Sequence, residues 1–312
     1  MKYLLMAAAA ASLAVSAHAG EPASIPSPGE IAAAAPASNW IAIAPSDLLV
    51  MDLAPDAQGK PRRVVIQLMP APFSQGWIGN IRQLAAAHWW DGTSINRVQD
   101  NYVAQWGDAT EKKALPSGLA VVPESDYVVN ATVAAGWDAA RAMQRSAPII
   151  PDAYGSSQAL WGWPVGRGKD GELWPIHCYG AVGVGRNLSP DAGSGAELYA
   201  VIGHAPRHLD RNIAVVGRVI SGIEFLSSLP RGTGALGFYE DEKERVPIAS
   251  IRLAEALPVA EQPKFEYLST ESDSFARYAD ARANRRDPFF IKPAGGADIC
   301  NIPVPVRLVA TK

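Results

Sequence analysis

Residues 91–110 read DGTSINRVQDNYVAQWGDAT, and the rest of the chain is best read outward from them. Asp91-Gly92 and Asp100-Asn101 are turn pairs. Between them runs a short strand whose one charge is Arg97, and after the second turn Tyr102 to Gln105 reads as a returning strand. A lone cation in an uncharged strand has two readings: an ion pair at the end of a sheet, or a guanidinium held for a purpose.

Upstream, Leu49, Met51 and Leu53 share one face of a strand beginning near Asp47. Gln58-Gly59-Lys60-Pro61 is a turn, and Val64 to Leu68 completes a hairpin. Ser74 stands where it can cap a helix in which Trp77, Ile81, Leu84, Ala85 and His88 form a stripe at helical spacing. Downstream, strands are expected at Ala181 to Gly185, Leu198 to Ile202, Ile213 to Ile220 and Ile248 to Leu253. A second short helix runs through Ile223, Leu226 and Leu229 and stops at Pro230. Many short strands with two core helices predict a mainly β fold, a closed antiparallel barrel of about eight strands capped by two helices.

The organisation expected around that barrel has four parts. Residues 1–19 form a signal peptide: Lys2 is its positive end, Leu4 to Val15 its short apolar run, and Ala17-His18-Ala19 its small-x-small cleavage site. Residues 20–43, containing EPASIPSPGEIAAAAPAS, read as an extended Ala/Pro-rich linker. Residues 44–257 hold the barrel, interrupted at about 111–179 by an insertion dense in Pro, Gly and Trp. Residues 258–312 form a C-terminal extension with one helix around Ser272 to Arg285.

Composition narrows the function classes. Hydrophobic residues make up 48% of 312, enough for a packed core. The 28 Lys+Arg against 31 Asp+Glu leave no basic field, so nucleic acid is not an expected partner. Beyond the N-terminus no apolar run is long enough to span a membrane, so no integral membrane segment is expected in the mature chain. The expected location is outside the cytoplasm, in a bacterial periplasm after cleavage near Ala19. In that compartment the two cysteines, Cys178 and Cys300, read first as a disulfide. Two buried thiols, or a reactive Cys178 beside His177, are the alternatives. Closing so long a loop would contribute on the order of 4–5 kcal/mol in the chain-entropy account.

Several motifs fail on context. Gly232 to Gly237 matches a dinucleotide-binding glycine pattern, but a helix precedes it and an acidic run, Glu240 to Glu244, follows; turns are the better reading. His204 and His208 are four apart with Pro206 between them and no third ligand nearby, so no metal is expected. No serine sits in a G-x-S-x-G elbow. Asn130-Ala131-Thr132 has glycosylation spacing and little weight.

The opening segment resembles the cyclophilin family of peptidyl-prolyl isomerases. There the stretch after the first helix reads Asp-Gly-Thr, then Phe-His-Arg, then a turn, then Phe-Met-x-Gln-Gly-Gly-Asp. The preceding RVVIQLMPAPFSQGWIGNIRQLA is similar to that family's second strand and first helix. A later block within 180–228, containing HLDRNIAVVGRVISGIEFLSSL, resembles its Leu-Asp-Gly segment, valine-rich strand and closing helix. The resemblance covers roughly 45–257 apart from the insertion, and implies a cyclophilin-like barrel.

It also implies a chemistry. Rotation about an X-Pro bond is slowed by amide resonance, a barrier of ~18–20 kcal/mol. A fixed guanidinium that donates to the prolyl nitrogen weakens that resonance without nucleophile, metal or cofactor. By carry-over, Arg97 is the catalytic donor and Gln105 holds the substrate backbone. Tyr102, Val103, Glu197, Leu198, Tyr199, His208 and Leu209 stand at substrate-pocket positions, His208 where many members have Trp. Asn96 replaces the usual His, Glu197 a Gln that contacts substrate, and Trp106 a Gly, while one extra residue lies between Tyr199 and Leu209. Direct pairing of Glu197 with Arg97 would occupy the guanidinium. The expected function is prolyl isomerisation in exported proteins during folding, acting on proline-containing segments of unfolded or extended chains. The alternative is a non-catalytic peptide-binding or assembly module of the periplasm.

Overall fold

In the computed structural model, which describes residues 25–130 and 149–309, eight strands close into an antiparallel barrel. Numbered along the whole chain they are β2 (Leu48–Leu53), β3 (Arg62–Leu68), β4 (Ser94–Val98), β5 (Val103–Gly107), β11 (Ala181–Val184), β12 (Leu198–Val201), β13 (Val215–Ser221) and β14 (Val246–Leu253). Their order round the barrel is β11-β12-β5-β4-β14-β2-β3-β13. The expected signal peptide and residues 131–148 of the insertion lie outside the described residues.

Alternation along the strands fills the barrel. Leu49, Met51 and Leu53 join Val64, Ile66, Ile95, Val98 and Trp106 in one core. Helix α2 (Gln75–Ala86) lays Trp77, Ile81, Leu84 and Ala85 on it, and the single turn α3 (Glu224–Ser227) adds Leu226. Fully burying a side chain of this size contributes about 1.5–3 kcal/mol. Two local expectations are corrected here. His88 lies past the helix end at φ 55, outside the apolar stripe and exposed. Ser74 is the residue before the helix but does not cap it; its hydroxyl donates to the Val215 carbonyl at 2.8 Å, tying helix to barrel.

Residues 111–179 are expected to form long excursions from the barrel, and the described part of that insertion is instead built around a sheet. It contains a five-stranded antiparallel sheet of β6 (Val129–Asn130), β7 (Ile150–Asp152), β8 (Gly155–Leu160), β9 (Trp163–Arg167) and β10 (Glu172–Pro175), in the order β6-β10-β9-β8-β7. Its Pro and Gly content hid these strands. Gly166 pairs with Trp174, and a methyl group at Gly166 would overlap the indole, so here glycine makes room for the ring inside a strand. Arg218 of β13 docks the sheet, donating to the Gly162 carbonyl at 2.7 Å with its guanidinium 4.4 Å from the Trp163 ring centre.

The linker reading of 20–43 is also corrected. From Pro28 the chain forms α1 (Pro28–Ala33) and then β1 (Trp40–Ala42). Ser27, Pro28 and Glu30 supply an N-cap, a proline in the first turn and a reciprocal capping box, signals that outweigh the Pro/Ala composition. Strand β1 pairs with β15 (Phe265–Leu268), which pairs with β16 (Val306–Leu308). Helix α4 (Asp273–Ala283), the helix expected around Ser272 to Arg285, is capped by Ser272 and packs Phe275 and Tyr278 beside Ala32, Ile299 and Ile302. The two ends of the chain thus build one unit, and Phe265, Ile43 and Ala254 cover the outward-facing Leu48, Val50 and Val65 of the barrel. Cys178 and Cys300 are disulfide-bonded, so neither is a free thiol. No helix among the described residues is long and apolar enough to cross a membrane.

Candidate active site

Strand register assembles the site from segments far apart in sequence. On the barrel's outer surface Tyr199 pairs with Gln105, and Gln105 pairs with Arg97, so three side chains form a row across β12, β5 and β4. Simple alternation would put Arg97 on the same face as Ile95, which is fully buried inside. A bulge between Ile95 and Arg97 turns the arginine outward and returns Val98 to the interior. Re-aiming one side chain in this way is a common use of a bulge beside a functional site.

Arg97 is fixed on every side. Its Nε donates to the Leu236 carbonyl at 2.7 Å, one Nη to Gln105 Oε1 at 3.0 Å and the other to Gln99 Oε1. The guanidinium carries five N–H donors, so two remain for a ligand. The Tyr102 and Phe238 ring centres lie 5.7 and 5.3 Å from its central carbon. Burial pushes the Arg97 pKa below its ordinary value, and the partly desolvated charge is screened less than it would be in water.

A cleft of about 720 Å³ opens at this row. Among the residues expected at the site, Arg97, Gln105, Tyr102, Val103, Glu197 and Tyr199 line it. The other three do not. Leu198 pairs with Trp106 and faces the barrel core, because it alternates with Tyr199 along β12. Leu209 packs half-buried against the same core. His208 is exposed and stacks on Tyr102, with ring centres 6.4 Å apart and planes 15° apart, backing that wall from outside the cleft.

Glu197 and Arg97 do not pair directly; no ion pair joins them among the described residues. Gln105 lies between, accepting from Arg97 while its side-chain amide, with that of Asn96, favours the Glu197 carboxylate. Burial works the other way and prevails, so the Glu197 pKa is raised. Its carboxylate lies against Gly107, where a methyl group would overlap it.

Sequence reasoning missed part of the wall. Leu236, Phe238 and Tyr239 close over Arg97 from the loop that begins with the failed glycine motif, and Ile213 and Arg245 line the cleft as well. The glycines are turn-makers here: Gly237 has φ 81 and its amide donates to the Gly234 carbonyl, a bend that presents the Leu236 carbonyl to Arg97. That turn reading was available from the sequence, but nothing in it said which strand the loop would cover.

Residues 61–253 match the family described as Cyclophilin type peptidyl-prolyl cis-trans isomerase/CLD. The fold is similar to the crystal structure of cyclophilin AquaCyp293 from Hirschia baltica, with TM-score 0.64 at 20% identity over 88% of this chain and 95% of that one. A Cryptosporidium parvum cyclophilin type peptidyl-prolyl cis-trans isomerase is a more distant match, with TM-score 0.38 at 12% identity over 66% of this chain and 96% of that one. No curated protein matches this sequence.

Proposed function

Because this chain belongs to the cyclophilin-type peptidyl-prolyl cis-trans isomerase family, we propose that it accelerates rotation about X-Pro bonds in proline-containing segments of exported proteins. The observation that carries the reading is the Arg97 guanidinium. It is locked by three protein bonds and two aromatic faces with two donors left over, beside an apolar wall of Tyr102, Val103, Ile213 and Phe238.

A prolyl ring against that wall brings its nitrogen toward Arg97. Donation to the nitrogen lone pair stabilises the twisted amide, in which the lone pair has left resonance with the carbonyl. Each tenfold acceleration needs about 1.4 kcal/mol, within reach of one preorganised charged donor. Gln105, pinned through its Oε1 by Arg97, holds the substrate backbone on one side while the other side turns. Tyr102 and Val103 grip the ring. Export rests on the leader-like residues 1–19 and fits the disulfide, which persists in oxidising compartments.

The second reading, a non-catalytic peptide-binding module, is favoured by one fact: three Arg97 donors are already engaged. Prolyl cis/trans exchange on a short Ala-Pro-Phe peptide, followed by NMR exchange spectroscopy, separates the two. Exchange enhanced by wild type and abolished in Arg97→Ala supports catalysis. Peptide shifts without enhanced exchange support binding alone.

A further inference from the structure

Behind the cleft wall runs a buried polar chain that the isomerase chemistry does not use. The Tyr199 hydroxyl lies 3.0 Å from His177 Nε2, and His177 Nδ1 lies 2.9 Å from Asp210 Oδ1. Asp210 Oδ1 also accepts from the His177 backbone N–H at 3.0 Å, and its Oδ2 accepts from Arg207 Nε at 2.6 Å. Arg207 continues the chain in an ion pair with Asp152 at 2.8 Å. His177 has no exposed surface, and Asp210 has almost none.

The proton positions follow from the partners. Hydrogen bonds from His177 and charge pairing with Arg207 outweigh burial and keep Asp210 ionised, so its oxygens only accept. His177 Nδ1 must therefore carry a proton and donate. In the neutral ring Nε2 is then an acceptor, and the Tyr199 hydroxyl donates to it. The tyrosine can reach that far because its ring lies across Gly183 on the neighbouring strand, where a methyl group would overlap it.

The members of this polar chain come from two regions, and a third is tied to them. Tyr199, Arg207 and Asp210 belong to the barrel. His177 and Asp152 belong to the insertion, Asp152 ending β7. Cys178, next to His177, is bonded to Cys300 of the C-terminal extension, whose backbone N–H is capped by Asp298. We propose that His177 is a positioning residue: through the Tyr199 hydroxyl it holds the tyrosine ring in place as a wall of the cleft, so the insertion and extension complete a site the barrel alone would leave slack. This rests on the isomerase reading for its kinetic consequence only. Tyr199 would touch the substrate both at rest and in the transition state, so a loosened ring should raise KM and leave kcat nearly alone.

Two substitutions divide the two bonds of His177. His177→Gln can place an amide oxygen near the Nε2 position and still accept from Tyr199. His177→Asn can place an N–H near the Nδ1 position and still donate to Asp210. Both are compared with wild type and Tyr199→Phe, which keeps the ring and loses only the hydroxyl. For the Ala-Pro-Phe peptide, His177→Asn and Tyr199→Phe should each raise KM roughly five- to tenfold, the scale of one lost hydrogen bond. His177→Gln should stay close to wild type, and adding His177→Asn to Tyr199→Phe should cost nothing more. The Tyr199 ring resonances of the free protein should move in Asn and not in Gln. Rescue by Asn rather than Gln, additive effects in the double variant, or Tyr199 resonances unmoved in His177→Asn would overturn the proposal. A wild type that does not enhance exchange would overturn the isomerase reading instead, while the ring resonances still decide the role of His177.

Discussion

Arg97→Lys keeps the positive charge and removes the fork, which makes it the sharpest test of how the site works. In the wild type, three directed bonds, to Leu236, Gln105 and Gln99, fix the plane of the guanidinium between Tyr102 and Phe238. A lysine ammonium is a point charge on a flexible stem and cannot reproduce that planar arrangement or its stacking. Losing one preorganised donor to a developing charge typically lowers kcat by about 10²–10³, or ~2.7–4 kcal/mol, and kcat/KM should fall by that much. KM should change little, because Tyr102, Val103 and Ile213 still form the wall. Stability should move far less. The ammonium stays in the same half-buried place and can keep some of the three hydrogen bonds, each worth about 0.5–1.5 kcal/mol net, so the difference should stay under about 2 kcal/mol. The assay is NMR exchange at several protein concentrations, paired with urea unfolding of both proteins. A kcat/KM within about threefold of wild type, well short of the loss expected for such a donor, would refute the directed-donor account. A loss appearing wholly in KM would assign Arg97 to binding.

Three further outcomes follow from the structure. Glu197→Gln should stabilise the protein at neutral pH: burial raises the Glu197 pKa, so folding favours the protonated acid and wild-type stability declines as pH climbs above the ordinary value of 4.5. The advantage of the Gln variant should vanish below that pH in unfolding curves run from acid to neutral, and an advantage growing toward acid would contradict the assignment. Replacing Cys178 and Cys300 together by Ser opens a loop with a sequence separation of 122, and should cost about 4–5 kcal/mol by urea denaturation; under ~2 would mean the extension's packing already confines the chain. Phe275→Ala empties a fully buried position under α4 and should cost about 3–5 kcal/mol, with hydrogen-exchange protection lost first in β1, β15 and β16 and retained in the barrel.

The local signals in this chain were strong where the physics is local. Alternation in Leu49, Met51 and Leu53 and the stripe of Trp77, Ile81 and Leu84 depend only on the periods of strand and helix, and each of these residues is buried. The capping box at Ser27 and Glu30 was equally local, yet the Pro/Ala composition around it masked it. The sheet in the insertion was hidden for a different reason. Its glycines and prolines look like breakers until Trp174 is seen lying across Gly166, and that partner is known only from the pairing of two strands.

By itself the sequence determined the barrel and the family, and it pointed to Arg97 and Gln105 as the centre of the proposed chemistry, because these are written in short runs. Tertiary structure alone decided which side chains meet. A bulge of one residue put Arg97 outside the barrel, and alternation along β12 put Tyr199 in the cleft and Leu198 in the core. A loop more than a hundred residues downstream brought Leu236 and Phe238 over the arginine. Closing such distances depends on the packing of the whole barrel, so no local pattern encodes it. The same holds for His177, an unremarkable residue in sequence that the folded chain places between Asp210 and Tyr199.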